Sequence, residues 1–187
     1  MTQSARLYVC FAGGRTGAWQ VERISALMGP ALPAVHRVAV RDAQTLPVSA
    51  GYAWLLQGVT SYERYVQRRE RSALDECQPA LGRPEATCAA LIPIRKAAAW
   101  WELTQDERRT IFEERSHHIT TGLQYLPAIA RRLYHGRDLG EPFDFLTWFE
   151  FAPSSAGLFQ ELVGKLRETE EWAYVEREID IRLVRKE

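Results

Sequence analysis

The sequence predicts an α+β fold, a dimeric α+β barrel in the sense of two ferredoxin-like halves on one chain, with the N-terminal half shortened. Three observations predict it. After residue 88 the segments with strand and helix periodicity follow one another as β-α-β-β-α-β. Before residue 77 a weaker copy has strand-like segments and one helix. The length, 187 residues, gives about one compact unit at roughly 150 residues per domain. Two such halves can pair their sheets into a barrel with helices outside. The halves are residues 1–77 and 88–187, joined by the linker QPALGRPEAT at 78–87.

In the N-terminal half, ARLYVCFAG, GAWQVERISAL, AVHRVAV and YAWLLQGVT read as strands, and SYERYVQRRERSALDEC (61–77) reads as a helix. In the C-terminal half, CAALIPIR (88–95) is a short apolar strand. A helix then starts at the Thr104 cap, because TQDE is a capping box in which Glu107 can reach back; it runs through TQDERRTIFEERSHH and ends near Gly122. AIARRLYH (128–135) and FDFLTWFEF (143–151) are strands separated by the turn residues of GRDLGEP. Ser154 or Ser155 caps the helix GLFQELVGKLRE, in which Leu158, Phe159, Leu162 and Leu166 recur at helical spacing. The last strand, 174–184, alternates: Val175, Arg177, Ile179, Ile181 and Leu183 face one way, and Glu176, Glu178, Asp180 and Arg182 the other.

Composition removes several function classes. Lys+Arg and Asp+Glu both number 24, so the chain lacks the electrostatic footprint of a nucleic-acid or polybasic membrane binder. Cys10, Cys77 and Cys88 are odd in number and form no CxxC pair, which indicates neither a disulfide framework nor structural zinc. No apolar run reaches signal-peptide or membrane-spanning length, and the expected location is the cytoplasm. AGGRTG lacks the phosphate-binding lysine, no G-x-G-x-x-G joins a strand to a helix, and the histidine pair has no partner at i+4.

Few residues are left that could carry chemistry. His36 and His135 lie in strand-like segments and read as structural. His117 and His118 stand together at the end of the long predicted helix, where a C-terminus favours imidazolium, so a capping pair is one reading. Adjacent helical residues point about 100° apart, so one of the two can face the sheet instead. Arg131 shares a strand face with Ile129 and Leu133, and a guanidinium in an apolar stripe needs either an internal carboxylate or an anionic ligand. Trp148 alternates with Leu146, opposite Phe143, Phe145, Thr147, Phe149 and Phe151, and plain core packing accounts for most of these rings. Lys96, four residues before Trp100, can reach water along its stem or meet a carboxylate.

Taken together, AALIPIRKAAAWW (89–101), SHHITTGLQYLPAIARRLYHGRDLGEPFDFLTWFEF (116–151) and LVGKLRETEEWAYVEREIDIRLV (162–184) resemble the short, dimeric branch of the chlorite dismutases, nearly continuously from residue 78 onward. The resemblance implies haem b in the C-terminal half, with His118 as the proximal iron ligand and Glu171 accepting a hydrogen bond from its other ring nitrogen. It places Arg131 at the family's distal arginine and Gln78 at the glutamine that holds that arginine outward. Ile94, Lys96 and Trp100, with Tyr65, fall on haem-propionate contacts, and Trp101 and Trp148 on pocket tryptophans. It further implies conversion of chlorite to chloride and dioxygen through a ferryl-type haem and a hypochlorite-like fragment that Arg131 retains. Chlorite and other small anions are the implied ligands, and a homodimer the implied assembly, with exposed sheet edges and outward phenylalanines as the surfaces that associate. Within the same superfamily, a coproheme decarboxylase, a weak peroxidase and a non-catalytic haem carrier share the fold; Arg131 argues for the dismutase.

Overall fold

The computed structural model describes residues 8–42, 51–60 and 64–185. Eight antiparallel strands close a barrel: β1 (Tyr8–Gly14), β2 (Trp19–Met28), β3 (Arg37–Asp42), β4 (Trp54–Val59), β5 (Cys88–Lys96), β6 (Ile129–His135), β7 (Phe145–Phe151) and β8 (Val175–Val184). Around it run α1 (Arg68–Cys77), α2 (Ala98–Glu102), α3 (Gln105–Arg109), α4 (His118–Leu123) and α5 (Ala156–Arg167). The barrel order is β1-β3-β2-β8-β5-β7-β6-β4. Cut where the halves join, it reads β4-β1-β3-β2 and β8-β5-β7-β6, the same spatial order twice. The expected α+β barrel of two ferredoxin-like halves is therefore what forms.

The register explains the shortening of the N-terminal half. Gly14 and Gln20 flank the same residue, Arg37, on opposite sides of β3. Strand β2 thus begins level with the end of β1 and runs on past β3, pairing with it only at Trp19 and Gln20 before joining β8. No crossover back along the sheet is needed, so a four-residue turn replaces a helix. Two seams join the halves. The β2–β8 seam runs from Gln20↔Val184 to Met28↔Glu178, whereas β4 and β6 pair only at Val59↔His135.

Two apolar layers result from alternation on the sheet. Val9, Phe11, Trp19, Val38, Leu56, Leu91, Leu146, Trp148, Ile179 and Ile181 fill the barrel. The opposite face of the C-terminal strands, with Ala90, Ile92, Ile94, Ile129, Phe149 and Phe151, lies under Phe159, Leu162, Val163 and Leu166 of α5. Phe159 stacks on Phe151 at 4.5 Å and meets Phe149 at 5.0 Å. Phe149 and Phe151 are therefore covered by the protein's own helix, whereas the β2–β3 and β4–β6 pairings are short and Leu27, Met28, Leu55 and Leu133 on these strands are exposed.

Several expectations need correction. Phe143 precedes β7 and joins the barrel interior rather than the face of Phe145 and Phe149. On the charged face of β8, Glu178 and Asp180 are buried. Arg167 on α5 bridges both at 2.6 and 2.9 Å, Arg182 bonds Asp180, and the Trp172 indole donates to Glu178 at 2.9 Å. Two cations and an indole N–H supply the partners that buried carboxylates require. Helix α1 starts at Arg68, later than expected; residues 61–63 of that expected helix, and 5–7 of the first expected strand, lie outside the described residues. No helix among the described residues is long and apolar enough to cross a membrane.

Candidate functional site

The long helix expected from Thr104 to Gly122 is broken, and the break makes the site. Thr104 does cap α3, with Glu107 returning a hydrogen bond to its backbone N–H at 2.7 Å. The chain then widens into a π-helical turn, Thr110–Arg115, and His117 adopts left-handed geometry (φ 50°). A fresh helix, α4, opens at His118. The histidines are therefore not a C-terminal capping pair: His117 is exposed, and His118 begins a helix with its ring turned inward, its side chain 16% exposed. Widened turns of this kind recur at functional positions.

The His118 ring is fixed from behind. Its Nδ1 lies 2.7 Å from Glu171 Oε2. Lys96 Nζ donates to Glu171 Oε1 at 2.8 Å and to the Glu171 carbonyl at 3.1 Å, while the Glu171 backbone N–H donates to Ser116 Oγ at 3.0 Å. Burial by itself would raise the Glu171 pKa. The charges of His118 and Lys96, with the hydrogen bonds from both, outweigh burial and hold the carboxyl down at about 2. Glu171 is thus a carboxylate at neutral pH and the acceptor for Nδ1–H, which makes Nε2 the ring nitrogen that a metal can take. Phe112 stacks on the ring at 4.3 Å and 22°, limiting its rotation.

Arg131 approaches the same helix from the sheet. It is half-buried on β6, and its guanidinium packs against Gly122, one turn beyond His118 on α4. Gln78, exposed at the end of α1, donates its amide to the main-chain carbonyl of Arg131 at 2.6 Å. This bond ties the end of α1 to β6 at Arg131 through the main chain.

The aromatic residues divide. Tyr65, in left-handed geometry (φ 64°), lies 5.8 Å from Phe112 and 6.3 Å from Trp100, and its hydroxyl accepts from Arg108. Trp100 is buried beneath the Lys96 ammonium at 4.6 Å. Trp101 stacks on Phe145 and is flanked by the guanidinium groups of Arg137 at 4.0 Å and Arg108 at 5.1 Å. The indole N–H groups of both Trp100 and Trp101 are buried without an acceptor. Trp148, in contrast, points into the barrel against Phe11 and Trp19 and donates to Glu150 at 2.8 Å, across the sheet from α4 and α5. It is a core residue and does not join the others. Ile94 packs under the helix layer, and its carbonyl accepts the Asp144 N–H at 2.9 Å. Lys96 is 4% exposed and committed to Glu171, so it meets the carboxylate alternative of the sequence reading rather than water. Glu113, Ser116 and Phe112 all touch the histidine environment and carry no sequence signal of their own.

A closed barrel of two like sheets, with a helix layer over one of them and a single carboxylate-held imidazole in that layer, defines a class of α+β barrel protein. The comparisons with known proteins name it. The pattern of the chlorite dismutase family matches residues 39–186, and the chain belongs to that family. Over 86 residues it is 35% identical to the chlorite dismutase of Ideonella dechloratans, a match spanning 46% of this chain but only 28% of that protein. The structure of the dimeric chlorite dismutase from Nitrobacter winogradskyi superposes with a TM-score of 0.88 at 58% identity, covering 95% of this chain and 99% of that one. The chlorite dismutase of Candidatus Nitrospira defluvii in complex with imidazole shares the fold, with a TM-score of 0.69 at 22% identity over 98% and 92% of the two chains.

Proposed function

We propose that the protein is a haem b enzyme that converts chlorite to chloride and dioxygen, working as a homodimer. The observation that carries this reading is the His118–Glu171 hydrogen bond, which leaves one nitrogen of a nearly immobile imidazole available to iron. The donor set fits a porphyrin. His118 offers a metal one imidazole nitrogen, and a macrocycle would supply the remaining in-plane ligands. The two orphaned indole N–H groups fit a carboxylate-bearing ligand, which would satisfy them. His118 would hold the iron, with Trp100 and Trp101 donating to the acid groups. Bound there, haem supplies an iron able to exchange an oxygen atom with an oxyanion.

The chain's own part is electrostatic. Ionised Glu171 keeps His118 in one tautomer and makes it a stronger donor. Arg131 brings a permanent positive charge to the other end of the α4 contact, and a guanidinium binds a small oxyanion by charge-assisted hydrogen bonds. It draws in chlorite and keeps the chlorine-bearing fragment near until both oxygens have left it. The 58% identity to a dimeric relative across nearly the whole chain supports the homodimer.

Haem-loaded protein mixed with chlorite in an oxygen electrode tests the reaction. Oxygen release is expected, and haem uptake without oxygen would leave only a carrier or weak peroxidase. Arg131→Ala is expected to keep haem, lower turnover by about 10-fold to 1000-fold and shorten the time to inactivation. Wild-type rate and durability in that variant would remove the retention role.

A further inference from the structure

We propose that Glu113 is a positioning residue that sets the direction of the His118 imidazole by capping, from the preceding turn, the helix on which His118 stands. This rests on the haem reading above only for its second arm. Glu113 is 5% exposed, and neither the sequence pattern nor the family resemblance singles it out. Its carboxylate accepts three hydrogen bonds from the first residues of α4: Ile119 N–H to Oε2 at 2.5 Å, Thr120 N–H to Oε1 at 3.1 Å, and Thr120 Oγ to Oε1 at 2.5 Å. The first two of these donors are backbone N–H groups that an N-terminus leaves without partners. The cap residue itself, His117, makes no side-chain cap bond. Glu113 takes over that task from four residues earlier, which is possible only because the π turn and the left-handed His117 fold the chain back on itself.

The consequence for His118 is geometric. A six-residue helix has little stability of its own, so the orientation of its first residue depends on what holds that end. Two bonds fix the same junction: Glu113 secures the main chain just after His118, and Ser116 Oγ accepts from the main chain of Glu171, the residue that holds the ring. One short segment therefore places both partners of the His118–Glu171 bond. Without Glu113 the start of α4 loses its partners inside a buried site, and the ring no longer meets Glu171 at one fixed distance.

The test uses Glu113→Gln, Glu113→Ala and a control, Val38→Ala, which loosens the barrel core away from α4. In the first arm, apoprotein labelled with 15N-histidine is examined by NMR. The wild type should give one downfield Nδ1–H resonance for His118. Both Glu113 variants should broaden or lose it while far-UV dichroism stays native, with Gln the milder because its carbonyl still accepts one N–H. In the second arm, haem-loaded samples are compared by the iron–imidazole stretching band and by haem transfer to apomyoglobin. A shifted or broadened band and release faster by about 10-fold to 100-fold are expected, with the control unchanged in both. A wild-type resonance in both Glu113 variants, or the same loss in Val38→Ala, would overturn the proposal. If the wild type takes up no haem, the haem reading falls, and the apoprotein resonance still decides the role of Glu113.

Discussion

The two halves of the barrel share a strand order and differ in what their outer faces present. In the N-terminal sheet the residues pointing away from the barrel include small and polar ones, Cys10 and Ala12 on β1, Ala39 and Arg41 on β3 and Gln57 on β4, with Leu55 exposed beside them. In the C-terminal sheet they are Ile92, Ile94, Ile129, Phe149 and Phe151, which form a second core with α5. Large apolar side chains on both parities of a strand demand a cover. Helices α4 and α5 provide it, and His118 is carried in that cover. Repetition built the scaffold, and the apolar outer face of one copy made it a site.

The largest effect should come from the residue unique to the covered half. His118→Ala is expected to abolish haem uptake, seen as loss of the Soret band on titration with ferric haem, while the far-UV dichroism of the barrel is retained. An unchanged Soret spectrum and affinity in that variant would take His118 out of the ligand role and erase the functional contrast between the halves.

Next in size is a variant that loosens the helix layer without touching the barrel. Phe159 is fully buried between Phe149 and Phe151. Phe159→Ala should cost about 3–5 kcal/mol in denaturant unfolding. Amide protection should fall first in α4 and α5 and hold in β1 and β3. Uniform loss of protection would show that the two layers form one cooperative unit, and the division drawn here would fail.

Where sequence periodicity is strong, it located the structure. The Thr104 capping box and the apolar spacing of Leu162 and Leu166 correspond to observed elements. It failed where a tertiary partner overrides a local pattern. Nothing in TIFEERSHHIT, which has no Gly or Pro, marks a break at His117; the stop depends on Glu113 reaching the next helix. Alternation places Glu178 and Asp180 on the charged face of β8 but cannot register Arg167, which arrives from α5 to pair with both. Trp148 and Trp101 look alike as tryptophans near the site, and only the strand register separates them. His118, Glu171 and Arg131 were legible as a set through family resemblance alone, since 53 residues separate His118 from Glu171.

The smallest expected effect tests the thin seam between the halves. His135 is the one residue of β6 paired with β4, is 7% exposed, and packs edge-on to Phe145 at 5.4 Å. Burial first, then the positive charge of Arg64, lowers its pKa from 6.5 to about 4, with Asp138 opposing weakly. The fold therefore favours neutral imidazole. Between pH 6.5 and 4 the unfolded chain binds a proton that the folded chain refuses, so the stability held above pH 6.5 is lost as pH falls through that window. The loss reaches on the order of 3 kcal/mol below pH 4. His135→Gln cannot titrate, and its thermal midpoint should decline less steeply than wild type from pH 6.5 to 4. The long β2–β8 seam has no histidine in its register, so that window should report the β4–β6 junction. Parallel declines in the two proteins would mean that His135 is protonated as readily folded as unfolded, and that the seam opens to water below neutral pH.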